Sequence, residues 1–358
     1  MYQRSEREWS FFLDMVELPS LSYFLYQPRG LHLSDGAVYT YIKGDEYEDI
    51  QAAWNWNLIP GTTVDYESTP LTCDKVTYTG VESFVGGVST GNIGATAMRF
   101  THPISKSFKY QKAWFFFEGV QFVTITKITR TNGNAPIYSV LDQRRRRGRV
   151  MLDNVELPYP TTETNVKKTS LWHGDVGYVF NTLGLKQGLT LSTGKKTGAW
   201  SAIGTSTQPP TEVDFFTAYI QHTNISHPLS YTVFPGVSYD QFLDRRANLV
   251  LQNIKNDNSV AAVYHPTHKI AMFIFWDVAG GTATWTPPGS TSSFTLTSNA
   301  NSAVIYRVDA KELTVSDPSQ TRERTSITVT VRQGSTTRTV PIALPTGGSL
   351  GRSATVTF

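Results

Sequence analysis

The feature that most restricts the fold is a two-residue alternation of β-branched or aromatic side chains with polar ones. It is clearest near the end, where Ile327, Val329 and Val331 alternate with threonines, residues 333–335 break the run, and residues 337–344 return. This period places alternate side chains on opposite faces of an extended strand. A glycine-containing break between two such runs is typical of a hairpin. The end of the chain is therefore predicted to be an antiparallel strand pair.

The same alternation recurs along most of the chain. Predicted strands cover 37–42, 75–79, 122–126, 172–180, 198–203, 215–221, 230–234, 261–264, 271–275, 293–296 and 303–308. The glycine-rich segments 86–89 and 131–133 predict turns. Residues 239–251 instead predict a short amphipathic helix, because Phe242, Leu243 and Ala247 stand among charged residues. Residues 1–26 fit either a strand pair or a short helix.

These patterns predict an all-β chain of two sandwiches. At 358 residues the chain is long enough for two or three domains. We place a large antiparallel sandwich over residues 1–240 and a smaller one over 241–358, with the helix at about 239–251 as the linker. No internal repeat and no coiled-coil heptad interrupts this organisation.

Composition argues against several classes of protein. Lys and Arg total 32 against 29 Asp and Glu, and a net charge of +3 is too small to predict a nucleic-acid partner. Cys73 is the single cysteine, which excludes an intrachain disulfide and a thiolate metal cluster. The longest apolar run, residues 270–276, is too short to span a bilayer, and residues 1–15 lack the apolar core of a secretory signal.

The segment from Trp54 to Asp65 is the strongest candidate for a binding loop. Trp54 and Trp56 flank Asn55, and Pro60-Gly61 follows before a β-branched run. Proline fixes φ and glycine accepts positive φ, so this pair predicts a tight turn that holds the two indole rings in place. Paired indoles beside a turn suit either the edge of a core or a platform on which sugar rings stack. The residues alone leave both interpretations open.

Other clusters give weaker indications. The seven histidines show no metal-ligand spacing, so we expect no metal site and no cofactor. The basic run from Arg144 to Arg149 could clamp an anionic polymer, but a solvated loop between strands is the simpler interpretation. His173 and Asp175 share one face of a predicted strand opposite Trp172, which suits a structural hydrogen-bonded pair.

Several segments, taken in order, resemble polysaccharide lyase family 8, which holds the hyaluronate, chondroitin AC and xanthan lyases. The matching segments are Leu31–Gly36, Trp56 with Ile59–Thr63, Phe84–Ser89, Lys112–Phe117, Gly174–Tyr178, Gly198–Ile203, Tyr231–Gly236 and Leu313–Gln320. The resemblance covers about residues 1–320. It implies a β-supersandwich of the galactose-mutarotase type followed by a smaller C-terminal sandwich.

The resemblance also implies an activity and a location. Family members cleave acidic polysaccharides of the hyaluronan, chondroitin or xanthan type by β-elimination and are extracellular. Their proton-transferring residues lie on an N-terminal α/α toroid, which this chain does not resemble, so we expect a helical toroid domain as its N-terminal partner and no catalytic residue here. The family's Asn-Gly-Glu-Asn stretch is replaced by Phe24-Leu25-Tyr26-Gln27.

The resulting site prediction is for substrate binding. It comprises Trp54, Asn55 and Trp56 with Arg29 and His32, which lie in or beside the segments that match the family's cleft. Two further hypotheses stay open: a non-catalytic carbohydrate-binding or structural module, and a sandwich of the sugar-mutarotase type. The last would need a histidine and a carboxylate together on a concave sheet face.

Overall fold

The computed structural model describes residues 2–4, 10–14, 29–75, 78–180 and 187–358. Strands make up most of the described structure in its first two thirds. They are β1 (Tyr2–Arg4), β2 (Ser10–Asp14), β3 (Ala37–Tyr41), β4 (Thr63–Asp65), β5 (Val85–Ser89), β6 (Gly94–Thr101), β7 (Phe108–Phe117), β8 (Val120–Arg130), β9 (Ile137–Arg145), β10 (Val150–Leu152), β11 (Val155–Glu156), β12 (Thr161–Val166), β13 (Ser170–His173), β14 (Val176–Phe180), β15 (Gly188–Gly198), β16 (Thr211–Gln221) and β17 (Leu229–Pro235).

A nine-residue α-helix, α1 (Tyr239–Ala247), follows β17. The remaining strands are β18 (Gln252–Asn256), β19 (Val260–His265), β20 (Ile270–Phe275), β21 (Gly281–Trp285), β22 (Phe294–Ser298), β23 (Ser302–Arg307), β24 (Glu312–Ser316), β25 (Ser326–Gln333), β26 (Thr336–Ala343) and β27 (Ala354–Thr357). Short 3-10 turns lie at Gly30–His32, Gln51–Ala53, Cys73–Lys75, Trp200–Ala202 and Gly347–Ser349. Within the described ranges, α1 is the one α-helix.

The strands form four large layers. The first two are a five-stranded sheet of order β12-β15-β16-β9-β4 and a nine-stranded sheet of order β11-β10-β13-β14-β17-β8-β7-β6-β5. After α1 come a six-stranded sheet, β18-β19-β20-β23-β24-β27, and a four-stranded sheet, β21-β22-β25-β26. A small sheet, β1-β2-β3, precedes them. The predicted all-β architecture, a large supersandwich and a smaller sandwich, is confirmed.

Each pair of adjacent layers encloses its own apolar core. Strand β7 shows why, because Trp114 and Phe116 face the core under the five-stranded sheet, whereas Phe115 and Phe117 face the six-stranded sheet. Strand β20 likewise divides its side chains between that second core and the core of the small sandwich. A strand segment covered on both faces is apolar instead of alternating, as residues 113–117 of β7 and all of β20 are.

Helix α1 is fixed at both its start and its buried face. The Ser238 hydroxyl accepts from the Gln241 amide at 3.3 Å, and the Gln241 side chain accepts from the Ser238 amide at 3.0 Å, which is a complete capping box. Phe242 is buried and packs over Gly177 of β14, where an added Cβ would lie 2.1 Å from the ring. The predicted helix is confirmed, although it ends at Ala247 rather than at residue 251.

Three local predictions are wrong. Residues 86–89 belong to strand β5 and not to a turn, and residues 200–202, predicted as strand, form a 3-10 turn. Lys75, placed in a strand, ends the 3-10 turn that begins at Cys73, while residues 76 and 77 lie outside the described residues. Most of the N-terminal segment also lies outside them, but β1 and β2 pair as one of the two alternatives predicted.

Candidate functional site

An open groove of about 480 Å3 lies beside strand β4, at one edge of the five-stranded sheet. The loop that precedes β4 and the loop that follows it supply most of its wall. The lining residues are Arg29, Trp54, Asn55, Trp56, Asn57, Glu67, Thr69, Pro70 and Leu71. The structure therefore brings together four of the five residues predicted from sequence to bind substrate.

The two indoles form the floor of the groove, and most of their surface lies in a core. Trp54 and Trp56 are 5% and 4% exposed and pack edge to face, with ring centroids 5.4 Å apart. The Trp54 Nε1 donates to the Gln143 carbonyl at 3.0 Å, and the Trp56 Nε1 donates to the Gln51 carbonyl at 3.1 Å. Both indole N–H groups are thus satisfied internally, and little of either ring is left exposed to the groove.

Gln143 holds this loop in place. It is fully buried on β9, and its amide nitrogen donates to the Asn55 and Leu58 carbonyls at 3.0 and 2.9 Å. Its side-chain oxygen accepts from the Asn55 amide at 2.9 Å. One side chain thereby satisfies three backbone groups of the loop that would otherwise be buried unpaired. No local pattern in the sequence predicts this role.

The two asparagine side chains of the loop differ in whether their oxygens already have hydrogen-bond partners. Asn55 is committed internally, because its Oδ1 accepts from the Asn57 amide at 3.0 Å and its Nδ2 donates to the Tyr66 hydroxyl at 2.9 Å. The Oδ1 of Asn57 is buried and has no hydrogen-bond partner among the described residues. This atom has almost no accessible surface, so a ligand can pair with it only after a movement of the loop. Asn57 nevertheless lines the groove beside Asn55, and sequence reasoning missed it.

Opposite charges stand at the rim of the groove. Arg29 is half-buried at the start of the 3-10 turn Gly30–His32, and Glu67 is exposed with a φ of 58°. A guanidinium binds carboxylate or sulfate oxygens through two parallel N–H donors. Glu67 can accept hydrogen bonds from sugar hydroxyls. The groove thus offers a cation and a carboxylate beside the two indoles.

His32 is not among the groove residues. It is 2% exposed, and its Nδ1 lies 2.8 Å from Asp35 Oδ2, with Asp35 itself buried. The Tyr110 hydroxyl donates to the Asp35 carbonyl at 3.0 Å, and the Tyr78 hydroxyl donates to the Leu31 carbonyl at 2.6 Å. These contacts embed His32 in a polar cluster behind the groove wall.

A second buried histidine reaches the groove through a threonine. The Nδ1 of His102 accepts from the Ser105 amide at 3.1 Å, so the ring proton belongs on Nε2, which lies 3.3 Å from the Thr69 hydroxyl. Burial lowers the pKa of His102, which keeps the ring neutral. His102 therefore fixes the position of Thr69 as a neutral hydrogen-bond partner.

Lys112 lies beneath the turn that was predicted at Pro60-Gly61. Its ammonium nitrogen is fully buried and donates to the Gly61 carbonyl at 2.5 Å and to the Thr63 hydroxyl at 3.3 Å. Burial lowers the pKa of Lys112 to about 7. The turn is present, and Gly61 has the positive φ of 83° that the sequence required.

The arginine run does not form the uniform solvated loop that its composition suggested. Arg144 ends in the core, 1% exposed, with its Nε 3.1 Å from Asp142 Oδ2 and its Nη2 donating to the His173 carbonyl at 2.9 Å. Arg147 pairs with Asp45. His173 accepts from the Arg147 amide at 3.1 Å and stacks on Phe216, so it does not form the predicted pair with Asp175.

Within the described ranges, no cluster of three or more His, Cys, Asp or Glu side chains could hold a metal ion. In the same ranges, no helix has the length and apolar character needed to cross a membrane. The segment that replaces the family's Asn-Gly-Glu-Asn stretch, residues 24–27, lies outside the described residues.

Comparison with known families decides the classification. The sequence model of the polysaccharide lyase family 8 super-sandwich domain matches residues 21–246, and that of the family's C-terminal β-sandwich domain matches residues 254–326. The chain belongs to polysaccharide lyase family 8. The first match covers the groove and both sheets of the large sandwich, and the second covers most strands of the small one.

Among family 8 relatives, chondroitinase-AC of Pedobacter heparinus is 30% identical over 256 residues, which are 69% of this chain and 35% of that protein. A solved chondroitinase AC lyase shares the fold with a TM-score of 0.83 at 24% identity, over 98% of this chain and 51% of that one. A Paenibacillus xanthan lyase gives 0.82 at 20% identity, over 98% and 36%. The chain thus spans about a third of the length of the curated relative it matches.

Proposed function

We propose that this chain is the β-domain part of a lyase that cleaves a uronic-acid-containing polysaccharide by β-elimination. In this proposal the catalytic residues come from a helical toroid domain that faces the groove. The observation that carries the proposal is the groove itself, which sets Arg29, Asn57 and Glu67 around an indole floor in a family 8 super-sandwich domain. The relatives named chondroitinase and xanthan lyase support an acidic polysaccharide as the substrate.

The chemistry of β-elimination explains why sugar binding and proton transfer are proposed to lie on different domains. Elimination across the C4–O bond of a uronic acid needs a group that neutralises the carboxylate, a base for the C5 proton and an acid for the leaving oxygen. Among the described residues, the groove lining offers one guanidinium and one carboxylate, with no histidine, tyrosine or lysine. Arg29 suits the first task, whereas the two proton transfers need further groups. The groove is therefore proposed to bind and orient the sugar.

In this proposal residues 1–240 form the substrate-facing domain and residues 241–358 support it from behind. Both are proposed to act outside the cell, on hyaluronan, chondroitin or xanthan chains, without a metal or cofactor. Arg29, Trp54, Asn55 and Trp56 remain the proposed binding residues, joined by Asn57 and Glu67. His32 is assigned a supporting role because it is buried against Asp35.

The test measures sugar binding and product formation separately. The chain is titrated with oligosaccharides of chondroitin sulfate and of xanthan, and the ultraviolet absorbance of the unsaturated uronic product is followed with and without the toroid domain of a family 8 relative. We expect binding without product for the chain alone, and product after the toroid is added. Product from the chain alone would contradict the proposed division.

A matched pair of variants locates the binding. Arg29→Ala removes the groove cation and should weaken binding by about ten-fold or more, since a charged hydrogen bond contributes roughly 1.5–3 kcal/mol. Arg338→Ala removes an exposed cation from strand β26 of the small sandwich and should leave affinity unchanged. Equal affinities of Arg29→Ala and the unaltered chain would reject the groove as the binding site.

The alternative is a carbohydrate-binding module without any catalytic role. It is favoured by the lack of a proton-transfer pair among the lining residues that the structure describes. Such a module would bind oligosaccharide and yield no product even when the toroid is supplied. A mutarotase-type activity is less compatible with the structure, because the His32–Asp35 pair is buried instead of lying on an open sheet face.

A further inference from the structure

A second cavity of about 270 Å3 lies where the arginine run leaves strand β9. Its principal lining residues are Arg146, Arg149, Glu156, Tyr159 and Thr193, and it shares none of its lining with the groove. Thr193 lies on β15 next to edge strand β12, whereas the groove adjoins β4 at the opposite edge of the same sheet. Three strand spacings of about 4.8 Å separate β15 from β4, which is roughly 14 Å.

One wall of this cavity is an aromatic ring held by a cation. The guanidinium carbon of Arg146 lies 4.0 Å from the centroid of the Tyr159 ring. The Nε of Arg146 donates to Asp214 Oδ2 at 3.0 Å, so the guanidinium is fixed in place. Tyr159 nevertheless stays 46% exposed. An exposed aromatic ring held in a fixed orientation is a suitable stacking surface for the apolar face of a sugar.

The second cation of the cavity is available to a ligand. Arg149 is 47% exposed, and its nearest carboxylate oxygen, on Glu156, is 4.0 Å away, which is longer than a hydrogen bond. The guanidinium carbon also lies 5.0 Å from the centroid of the Tyr239 ring, which leaves the N–H donors without a hydrogen-bond acceptor there. Among the described residues, no acceptor takes a direct hydrogen bond from this guanidinium, so its donors can receive an anion.

We propose that this cavity binds one anionic sugar unit, whose ring packs on Tyr159 while its carboxylate or sulfate is held by Arg149. A guanidinium grips either anion with two parallel N–H donors. The volume falls just below the roughly 300–1,000 Å3 typical of drug-sized pockets, which suits a single sugar ring. Because Arg146 is already paired with Asp214, Arg149 is the lining cation that is left to bind the anion.

This site is independent of the groove, but the two would act together on a long chain. An acidic polysaccharide that occupies the groove could place another of its units in the cavity, and the second contact would be intramolecular. That gain in avidity rests on the proposed function, because it requires a polysaccharide in the groove. Binding of a single short sugar to the cavity does not depend on the proposed function.

The experiment uses amide chemical shifts to report where a sugar binds. The chain is titrated with galactose 6-sulfate, methyl glucuronide, neutral galactose and inorganic sulfate. We expect both anionic sugars to shift the Gly148 and Thr193 amides, with at least ten-fold weaker effects from galactose and from sulfate. Equal binding of inorganic sulfate would reduce the site to a plain anion site and overturn the proposal.

Variants separate this site from the groove. Arg149→Gln should lower affinity at the Gly148 and Thr193 amides by about ten-fold or more, because it removes a charged hydrogen-bond donor. Arg29→Ala should leave these shifts unchanged and alter only those near Asn57. If Arg149→Gln binds both anionic sugars as tightly as the unaltered chain, the assignment of the cavity is wrong, whatever the groove does.

Discussion

The buried ammonium group of Lys112 predicts that the chain becomes more stable as the pH rises from 7 to 9. Its nitrogen lies in the core of the large sandwich, and burial lowers its pKa from 10.5 to about 7. The unfolded chain therefore binds more protons than the folded chain throughout this interval. Unfolding free energy increases with pH wherever the unfolded state holds the excess protons, so the sign is positive.

The magnitude follows from the two pKa values. At pH 7 half of the folded molecules and nearly all unfolded ones carry the proton on Lys112, whereas at pH 9 the folded chain has lost it. One pKa unit corresponds to 1.36 kcal/mol, so the free energy of unfolding should rise by about 2 kcal/mol over this interval. Replacement by methionine keeps the volume and removes the titrating group.

The assay is urea unfolding, followed by tryptophan fluorescence, at pH 7 and pH 9. Lys112→Met should lose the rise of about 2 kcal/mol and be the less stable protein at pH 9, because the Gly61 carbonyl then lacks its donor. Lys109→Met, an exposed position on the same strand, should keep the rise. If unaltered chain and Lys112→Met show the same pH dependence, the buried-lysine argument is refuted.

Three further substitutions test other contacts. Gly177→Ala places a Cβ 2.1 Å from the Phe242 ring, so we expect a loss of about 1–3 kcal/mol and a lower melting temperature; unchanged melting would mean that α1 packs differently. Gln143→Leu leaves three backbone groups of the Trp54–Asp65 loop without partners, so urea unfolding should show a loss of at least about 2 kcal/mol in the free energy of unfolding. Oligosaccharide binding should weaken as well, and unaffected binding would contradict the role of Gln143 in positioning this loop. Ser238→Ala removes the N-cap of helix α1 and should lower the free energy of unfolding by about 1 kcal/mol, measured by thermal unfolding. Ser238→Asp keeps a capping oxygen and is the control that should stay close to the unaltered chain.

The alternation of side chains was sufficient to predict most of the fold. The hairpin of β25 and β26 was predicted to within a residue or two, because one face of each strand is buried and the other is polar. The helix after β17 was likewise visible, since its charged residues interrupt the strand period. Both features are local, so a sequence window contains the information that determines them.

The errors arose where distant segments come into close contact. Glycine is required at position 87 of strand β5 because a Cβ there would lie 2.2 Å from the Ala95 carbonyl oxygen. A Cβ added to Gly86 would lie 3.0 Å from the Cα of Pro318 in the small sandwich. These glycines make room for neighbouring chain segments and do not make a turn. Arg144 was misjudged for a related reason, because strand alternation turns this one arginine inward towards Asp142.

The candidate site was predicted in part. Trp54, Asn55 and Trp56 stand out by composition, and Arg29 came from its position beside a segment that resembles the family, so these could be found. Asn57 was not, because its unpartnered oxygen is evident only once the loop has folded. Gln143 lies 85 residues or more from the loop it holds, and no local pattern links the two.

The core shared by the nine-stranded and six-stranded sheets limits how this chain can be recombined with its relatives. Phe84 packs against Trp276, and the Ser316 hydroxyl donates to the Gly87 carbonyl at 2.8 Å, so each sandwich presents a surface shaped by the other. If the small sandwich alone were replaced by that of a relative, the nine-stranded sheet of one protein would have to pack against the six-stranded sheet of another. The two sandwiches should therefore have evolved as a pair. A chimera joined near residue 250 should fold well only if the residues on both faces of this shared core come from the same parent.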